Sequence, residues 1–164
     1  MRLYKADGVV LKSRDYQEAA AFLTLYTRKQ GKIYAIAKGV RKQKSSLRGG
    51  VQQFYRSHFV LYRGRELDTV TQCESVETFP FLYQDLTRLS FASHIVEVLD
   101  KITPEREPCE PLFYLLVGCL RMMRNADPCL VARAFEIRMV TELGYGPSLT
   151  SCLSCHRPTG QRGG

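Results

Sequence analysis

The sequence predicts an α+β fold, in which a small five-stranded β-barrel is followed by an α-helical domain. Residues 1–80 contain five short runs rich in β-branched and aromatic residues, with no helical period between them. After residue 80, apolar residues recur at spacings of three and four, as on helix faces. The excess positive charge also ends there: residues 1–80 hold 15 Lys and Arg against 7 Asp and Glu, and residues 81–164 hold 9 of each.

Turn signals separate the five predicted strands. The runs occupy residues 9–11, 21–26, 32–37, 54–62 and 67–73. Gln30-Gly31 separates the second run from the third, and Arg63-Gly64-Arg65 joins the last two as a hairpin. Within the third run, Ile33, Ala35 and Ala37 share one face. Five short strands in about eighty residues indicate a small barrel or sandwich. Among small barrels, the five-stranded OB-fold is the one most often used to bind oligonucleotides.

Three helical stripes follow the strands. The predicted core-facing residues are Leu82, Leu86, Leu89, Ser93, Val96 and Leu99, then Leu112, Leu115, Leu116, Cys119, Leu120 and Met123, then Leu130, Ala134, Ile137, Val140 and Leu143. Thr103-Pro104 ends the first helix, Asp127-Pro128 caps the third, and Gly144 stops it. We therefore expect a barrel domain at 1–80, a helical domain at 81–150 and a terminal segment at 151–164.

Composition narrows the class of protein. A net charge of +8, confined to the first half, indicates a polyanionic partner such as DNA, RNA or an anionic membrane surface, with a merely solubilising basic surface as the alternative. The hydrophobic content of 45% excludes a disordered chain, and no apolar run is long enough to span a membrane. The N-terminus alternates polar and apolar residues, unlike a signal peptide, so we expect the cytoplasm.

The most distinctive segment is residues 37–50, which follow the third strand. It contains five cations, no acid and two terminal glycines; the cations are Lys38, Arg41, Lys42, Lys44 and Arg48. Lys and Arg neutralise phosphates and release counterions, and the spacing of a P-loop is absent. A mobile, solvated loop is the alternative, but its position on a small barrel favours binding. We therefore predict that these five residues contact nucleic-acid phosphates.

Aromatic residues are interleaved with the basic ones in the barrel half. They are Tyr4, Tyr16, Phe22, Tyr26, Tyr34, Phe54, Tyr55, Phe59 and Tyr62. Proteins that bind single strands stack bases on such rings beside a cationic groove. Because alternate residues of a strand point inward, about half of these rings should belong to the core. The exposed ones are expected to be Tyr more often than Phe.

Six cysteines are present, and only one pair has a chemically meaningful spacing. We expect Cys109, Cys119 and Cys129 to be small core residues, because they lie in or beside helical patterns. Cys152-Leu-Ser-Cys155 forms half of a four-ligand zinc site, with only His156 following as a further ligand. Haem attachment would need export, and a thioredoxin-like pair would need a βαβ unit, so both are disfavoured.

No catalytic constellation emerges from the sequence. The three histidines are His58, His94 and His156, and they lie far apart in the chain. The acids are scattered, and no metalloprotease-type motif is present. We therefore expect a binding protein rather than an enzyme.

The chain resembles the family of the bacterial DNA repair protein RecO. The resemblance rests on three segments in the family's order. They are Asp7-Gly-Val-Val-Leu-Lys12 with Tyr16-Gln-Glu-Ala19, Ile36-Ala-Lys-Gly-Val-Arg-Lys42 continuing to Gly49, and Phe135-Glu136 with Leu143-Gly-Tyr-Gly-Pro147 and Cys152. Together these segments are specific, although each alone is weak.

The resemblance implies an N-terminal OB-fold, a helical domain and, in many members, a four-cysteine zinc element. It also implies binding of single- and double-stranded DNA, strand annealing, and loading of RecA onto DNA covered by single-strand-binding protein (SSB), with RecR as partner. Family members continue beyond this length with a second C-x-x-C and more helix. We therefore expect an incomplete helical domain and an incomplete, zinc-knuckle-like site at Cys152 and Cys155, with no zinc stably held by this chain.

Two other classes remain open at this point. An RNA-binding or translation-associated OB module would show the same basic loop and aromatic strands, and contacts to the RNA 2′-OH would distinguish it. A metal or redox enzyme built on Cys152 and Cys155 would show turnover or a thiol with a depressed pKa.

Overall fold

A computed structural model describes residues 2–158, and it contains a closed five-stranded barrel followed by three α-helices. The strands are β1 (Leu3–Tyr16), β2 (Ala20–Thr27), β3 (Gly31–Ala37), β4 (Arg56–Tyr62) and β5 (Asp68–Glu77). They close in the order β1-β2-β3-β5-β4, with β3 and β5 parallel and every other pair antiparallel. This confirms the OB-type barrel followed by helices that the sequence predicts.

The length of β1 allows the barrel to close. Its first part, from Leu3 to Val9, pairs with β4, and its later part, from Gly8 to Tyr16, pairs with β2. A bulge between Val10 and Lys12 lets the strand bend from one partner to the other. The barrel interior holds small and branched side chains, including the predicted Ile33, Ala35 and Ala37 face.

The two ends of the barrel carry different connections. The end that carries the β1–β2 turn and the β3–β4 connection, residues 38–55, is called here the loop end. The opposite end, with the β2–β3 turn at residues 28–30 and the β4–β5 turn at 63–67, is called the turn end. The bounds of the strands fix this arrangement.

The helices pack on the outer wall of the barrel. A short 3₁₀ helix (Pro80–Gln84) leads into α1 (Leu86–Ile102), α2 (Glu110–Met122) and α3 (Pro128–Glu142). Their shared core includes the barrel residues Val9, Leu11, Tyr26 and Phe54. Asp85 caps α1 by accepting hydrogen bonds from two backbone N–H groups, and Asp127 caps α3 as predicted. None of the helices described in residues 2–158 is long and apolar enough to cross a membrane.

The linker between α1 and α2 covers the turn end. Glu107 lies so close to Gly31 that an added Cβ on the glycine would sit 2.3 Å from the Glu107 carbonyl oxygen. Gly31 also has a φ of +68°, in the left-handed region that favours glycine. The backbone N–H of Arg106 donates to the carbonyl of Lys32 at 2.8 Å. The helical half is therefore anchored to the turn end, and the loop end is left without this cover.

The predicted core-facing residues are confirmed in α2, mostly confirmed in α1 and wrong in α3. Leu82 of the 3₁₀ helix and Val96 and Leu99 of α1 are buried as predicted. Leu86 is 79% exposed, and α1 also turns Ala92 and Ile95 toward the core. In α3 the predicted residues Leu130, Ala134 and Ile137 are exposed, whereas the buried ones are Val131, Ala132, Phe135 and Met139. This helix is apolar on two sides, so periodicity selected the wrong face. Cys129 is likewise exposed, although Cys119 is buried as expected.

Candidate nucleic-acid interface

The predicted basic segment is a shaped loop at the loop end. Its buried Val40, Leu47 and Val51 pack into the barrel interior. Between these anchors the chain turns repeatedly: the N–H of Lys42 donates to the Gly39 carbonyl at 3.1 Å, and the N–H of Gly50 to the Leu47 carbonyl at 3.2 Å. Apolar anchors alternating with polar turns hold the backbone against the barrel while the cations between them face outward.

Glycines at both ends of this loop meet specific geometric demands. Gly39 has a φ of +69°, a left-handed conformation that side chains rarely adopt. At Gly50, an added Cβ would lie 2.2 Å from the Cys73 sulfur, far closer than van der Waals contact allows. The Gly50 carbonyl accepts a hydrogen bond from the Ser57 hydroxyl at 2.8 Å, which fastens the end of the loop to β4.

The structure places the five predicted phosphate contacts together on the surface of this loop, and all five are exposed. Arg41 pairs with Asp15 of β1. Within the described part of the chain, no carboxylate lies within ion-pair distance of the other four, which are Lys38, Lys42, Lys44 and Arg48. Exposed cations without internal partners remain available to an incoming polyanion.

A groove of about 570 Å³ runs beside the basic loop. Arg41 and Arg48 line it from the loop, Asp15 from β1, and Tyr83 from the 3₁₀ helix. The Tyr83 hydroxyl donates to the Gln53 carbonyl at 2.6 Å, and burial raises the pKa of this phenol to about 12. Tyr83 therefore stays protonated at neutral pH, and it joins the helical half to the rim of the groove.

Other cations of the barrel half are used inside the molecule. Arg56 forms two hydrogen bonds with Asp7, at 2.9 and 2.7 Å, and the bonded carboxylate raises the pKa of its guanidinium. Lys12 and Lys32 both reach Asp100 of α1, at 2.7 and 3.4 Å. The charge count of the sequence does not reveal these pairs, because the partners lie 49 to 88 residues apart.

The aromatic residues divide much as alternation predicts. Tyr26, Phe54 and Phe59 are fully buried, whereas Tyr16 and Tyr62 are exposed. The remaining four rings, Tyr4, Phe22, Tyr34 and Tyr55, are half-buried. Phe22 and Tyr34 lie with Tyr16 on the same outer face of the barrel, near the basic loop.

Cys152 and Cys155 form a tight turn. Ser151 and Pro158 are bridged in antiparallel fashion, the N–H of His156 donates to the Cys152 carbonyl at 2.8 Å, and His156 has a φ of +56°. The backbone N–H groups of Cys155 and Ser154 lower the pKa of the Cys152 thiol.

This geometry suits two thiolate ligands of a metal, because N–H donors stabilise the anionic sulfur. Residues 2–158 contain no cluster of three or more His, Cys, Asp or Glu side chains able to hold a metal. The two thiols of the turn are half of the ligand set of a structural zinc site. Residues 159–164 of the predicted terminal segment lie outside the described residues.

The comparisons with known proteins match both halves of this architecture. Residues 1–79 match the family model for the N-terminal part of recombination protein O, and residues 83–163 match that for its C-terminal part. The chain belongs to the RecO family. The two RecO models meet where the barrel gives way to the helices.

Curated RecO proteins align along nearly the whole chain. DNA repair protein RecO of Pelotomaculum thermopropionicum is 52% identical over 155 residues, which cover 94% of this chain and 60% of that protein. The RecO proteins of Moorella thermoacetica and Heliobacterium modesticaldum are 48% and 46% identical, over 94% and 96% of this chain and 58% of each relative. The chain therefore spans about 60% of the length of the relatives it matches, and it is related to DNA repair proteins.

Proposed function

We propose that this chain binds DNA through the basic loop and serves as the DNA-binding part of a recombination mediator. The loop's Lys38, Arg41, Lys42, Lys44 and Arg48 contact phosphates. One observation carries the proposal: the five cations are gathered on one anchored, acid-free loop, and Asp15 pairs with only one of them. Phosphate contacts of this kind supply most of the affinity in binding that does not depend on sequence.

The test is a titration of single-stranded and duplex DNA at several salt concentrations. Lys38→Ala with Arg41→Ala should weaken binding to all sequences and reduce the slope of log K against log salt by about 0.9 per lost contact on duplex DNA. Lys29→Ala with Arg65→Ala is the matched control, because these exposed cations lie in the two turns of the turn end. Equal losses in the two variants would exclude the basic loop as the main contact.

RNA of the same sequence belongs in the same titration. We expect no gain from a 2′-hydroxyl, since the proposed contacts are to phosphates. Markedly tighter binding to RNA would favour an RNA-binding module over a DNA repair protein.

The proposed action needs no turnover. A basic surface screens the repulsion between two DNA strands, so the protein promotes annealing, and with RecR it assists RecA loading onto SSB-coated single strands. Membership of the RecO family supports this role, and we expect the protein to act in the cytoplasm, at the nucleoid. Annealing of complementary oligonucleotides, bare and SSB-coated, would test it.

We expect this chain to anneal bare strands but to be less active than a full-length relative on SSB-coated strands, since it spans about 60% of such relatives. Equal activity on SSB-coated strands would show that the remaining 40% is not needed for this step. Failure to anneal bare strands would contradict the proposed action.

We also propose that Cys152 and Cys155 supply two of four ligands to a structural zinc ion when a second ligand pair is present. The described turn offers two thiols, half of a tetrahedral ligand set, so the zinc should be held weakly by this chain alone. Metal analysis after dialysis should find less than one zinc per chain. One tightly held zinc that is lost in Cys152→Ser would overturn this expectation.

A further inference from the structure

Three aromatic rings form a ladder across the outer face of the barrel. Tyr16, Phe22 and Tyr34 come from the adjacent strands β1, β2 and β3. The ring centroids of Tyr16 and Phe22 are 6.3 Å apart, and those of Phe22 and Tyr34 are 5.8 Å apart. Tyr16 is 37% exposed and the other two are half-buried. These three residues are called here the ring ladder.

The strand register explains why the rings share a face. Phe22 pairs with Arg14 on one side and Ile36 on the other, while Thr24 of the same strand pairs with Tyr34. Directly paired residues point to the same side of a sheet, and residues two apart along a strand do so as well. Arg14 therefore lies on the same outer face as the ring ladder.

The cations on this face divide into two groups. Lys12 and Lys32 both form ion pairs with Asp100 of α1. Lys32 also lies over the ring of Tyr34, so these paired cations are at the Tyr34 end of the ladder. Arg14 and Lys38 are exposed and, in the described part of the chain, have no carboxylate within ion-pair distance. The ladder therefore runs from Tyr34, near the contact with α1, to Tyr16, near the basic loop. The unpaired cations Arg14 and Lys38 lie toward the Tyr16 end.

We propose that the ring ladder stacks the bases of single-stranded DNA while the basic loop holds its phosphates. This inference rests on the proposed function, and it assigns the site a preference for single strands over duplex. Aromatic rings beside a cationic path accept any base, because every base has a π-face. In a duplex the bases are already stacked on each other, so only the phosphate contacts remain available.

The first test places a fluorescent reporter on the ladder. The chain contains no Trp, so Tyr16→Trp introduces a single indole at this site. Stacking with an oligo(dT) of about 16 nucleotides should quench its emission, and a duplex of equal length should quench it little. Tyr62→Trp is the matched control, because Tyr62 is 40% exposed but lies at the turn end. Equal quenching in both variants, or none in Tyr16→Trp with DNA bound, would overturn the proposal.

The second test removes the rings but keeps the apolar surface. Tyr16→Leu with Phe22→Leu should lower single-strand affinity by about fivefold or more, while duplex affinity changes less than about twofold. Tyr16→Phe with Phe22→Tyr should keep wild-type binding, and thermal unfolding of each variant checks the fold. A parallel loss on both DNA forms, or no loss, would contradict the ring ladder. If the wild-type chain binds neither form, the proposed function fails instead.

Discussion

The two ends of the barrel carry similar numbers of basic residues but use them differently. At the loop end, Arg14, Lys38, Arg41, Lys42, Lys44 and Arg48 face solvent, with Asp15 as the one carboxylate paired to them in the described residues. At the turn end, the α1–α2 region supplies partners for barrel charges: its Arg106 pairs with Asp68 of β5, and Glu110 of α2 pairs with Arg28. Arg28 and Arg106 thus stabilise the fold at the turn end, where Lys29 and Arg65 remain exposed, whereas five of the six loop-end cations have no carboxylate partner among the described residues.

Burial decides which use a charge can have. Asp68 is fully buried and accepts hydrogen bonds from the Tyr4 hydroxyl, from Arg106 at 3.0 Å and from the Gly64 N–H at 3.1 Å. Burial and this carboxylate raise the pKa of Tyr4, which keeps the phenol protonated as a donor. Asp15 is 86% exposed in its pair with Arg41, where solvent weakens the interaction.

The largest expected effect is therefore on stability at the turn end. Asp68→Ala should lower the free energy of unfolding by about 3 kcal/mol, because it strands Arg106, Tyr4 and a backbone N–H without their partner. Asp15→Ala should change it by less than about 0.5 kcal/mol. Urea unfolding of the two variants makes the comparison, and similar losses would show that the two ends do not differ as described.

A smaller effect is expected on DNA affinity, where removing an acid should strengthen binding rather than weaken the fold. Asp15→Asn removes the one acid paired with the basic loop, and it should tighten DNA binding about threefold at low salt by releasing Arg41. Asp100→Asn is the matched control, since it makes the same change in net charge but frees Lys12 and Lys32 beneath α1. Anisotropy titrations should find no comparable gain there; an equal gain would mean that net charge alone sets affinity.

The strands and the basic loop could be predicted from sequence because their signals are local. Alternation in residues 32–37 identifies the inward face, and the run from Lys38 to Arg48 is contiguous. The pairing of Lys12 with Asp100 could not be predicted, since it depends on how α1 docks 88 residues away. The wrong face of α3 has a related cause: with apolar residues on two sides, tertiary packing rather than periodicity chooses between Leu130 and Val131.

The smallest expected effect is on the pH dependence of stability, and it comes from the helical half rather than from either end of the barrel. His94 of α1 and Glu136 of α3 lie 2.6 Å apart, and the hydrogen bond from His94, followed by the attraction of Arg133, lowers the pKa of Glu136. An acid whose pKa is lower in the folded state stabilises the fold above its unfolded pKa, about 4.3, and this contribution is lost as pH falls through the folded value.

Since both groups are partly exposed, the contribution should be only a few tenths of a kcal/mol. His94→Ala should therefore unfold at slightly lower urea concentration than the wild type at pH 6, and the two should converge near pH 3. The control is Arg133→Ala, which leaves the hydrogen bond from His94 to Glu136 in place and should change the pH dependence less. If the His94→Ala and wild-type curves diverged on acidification instead, the contact would not stabilise the packing of α1 on α3.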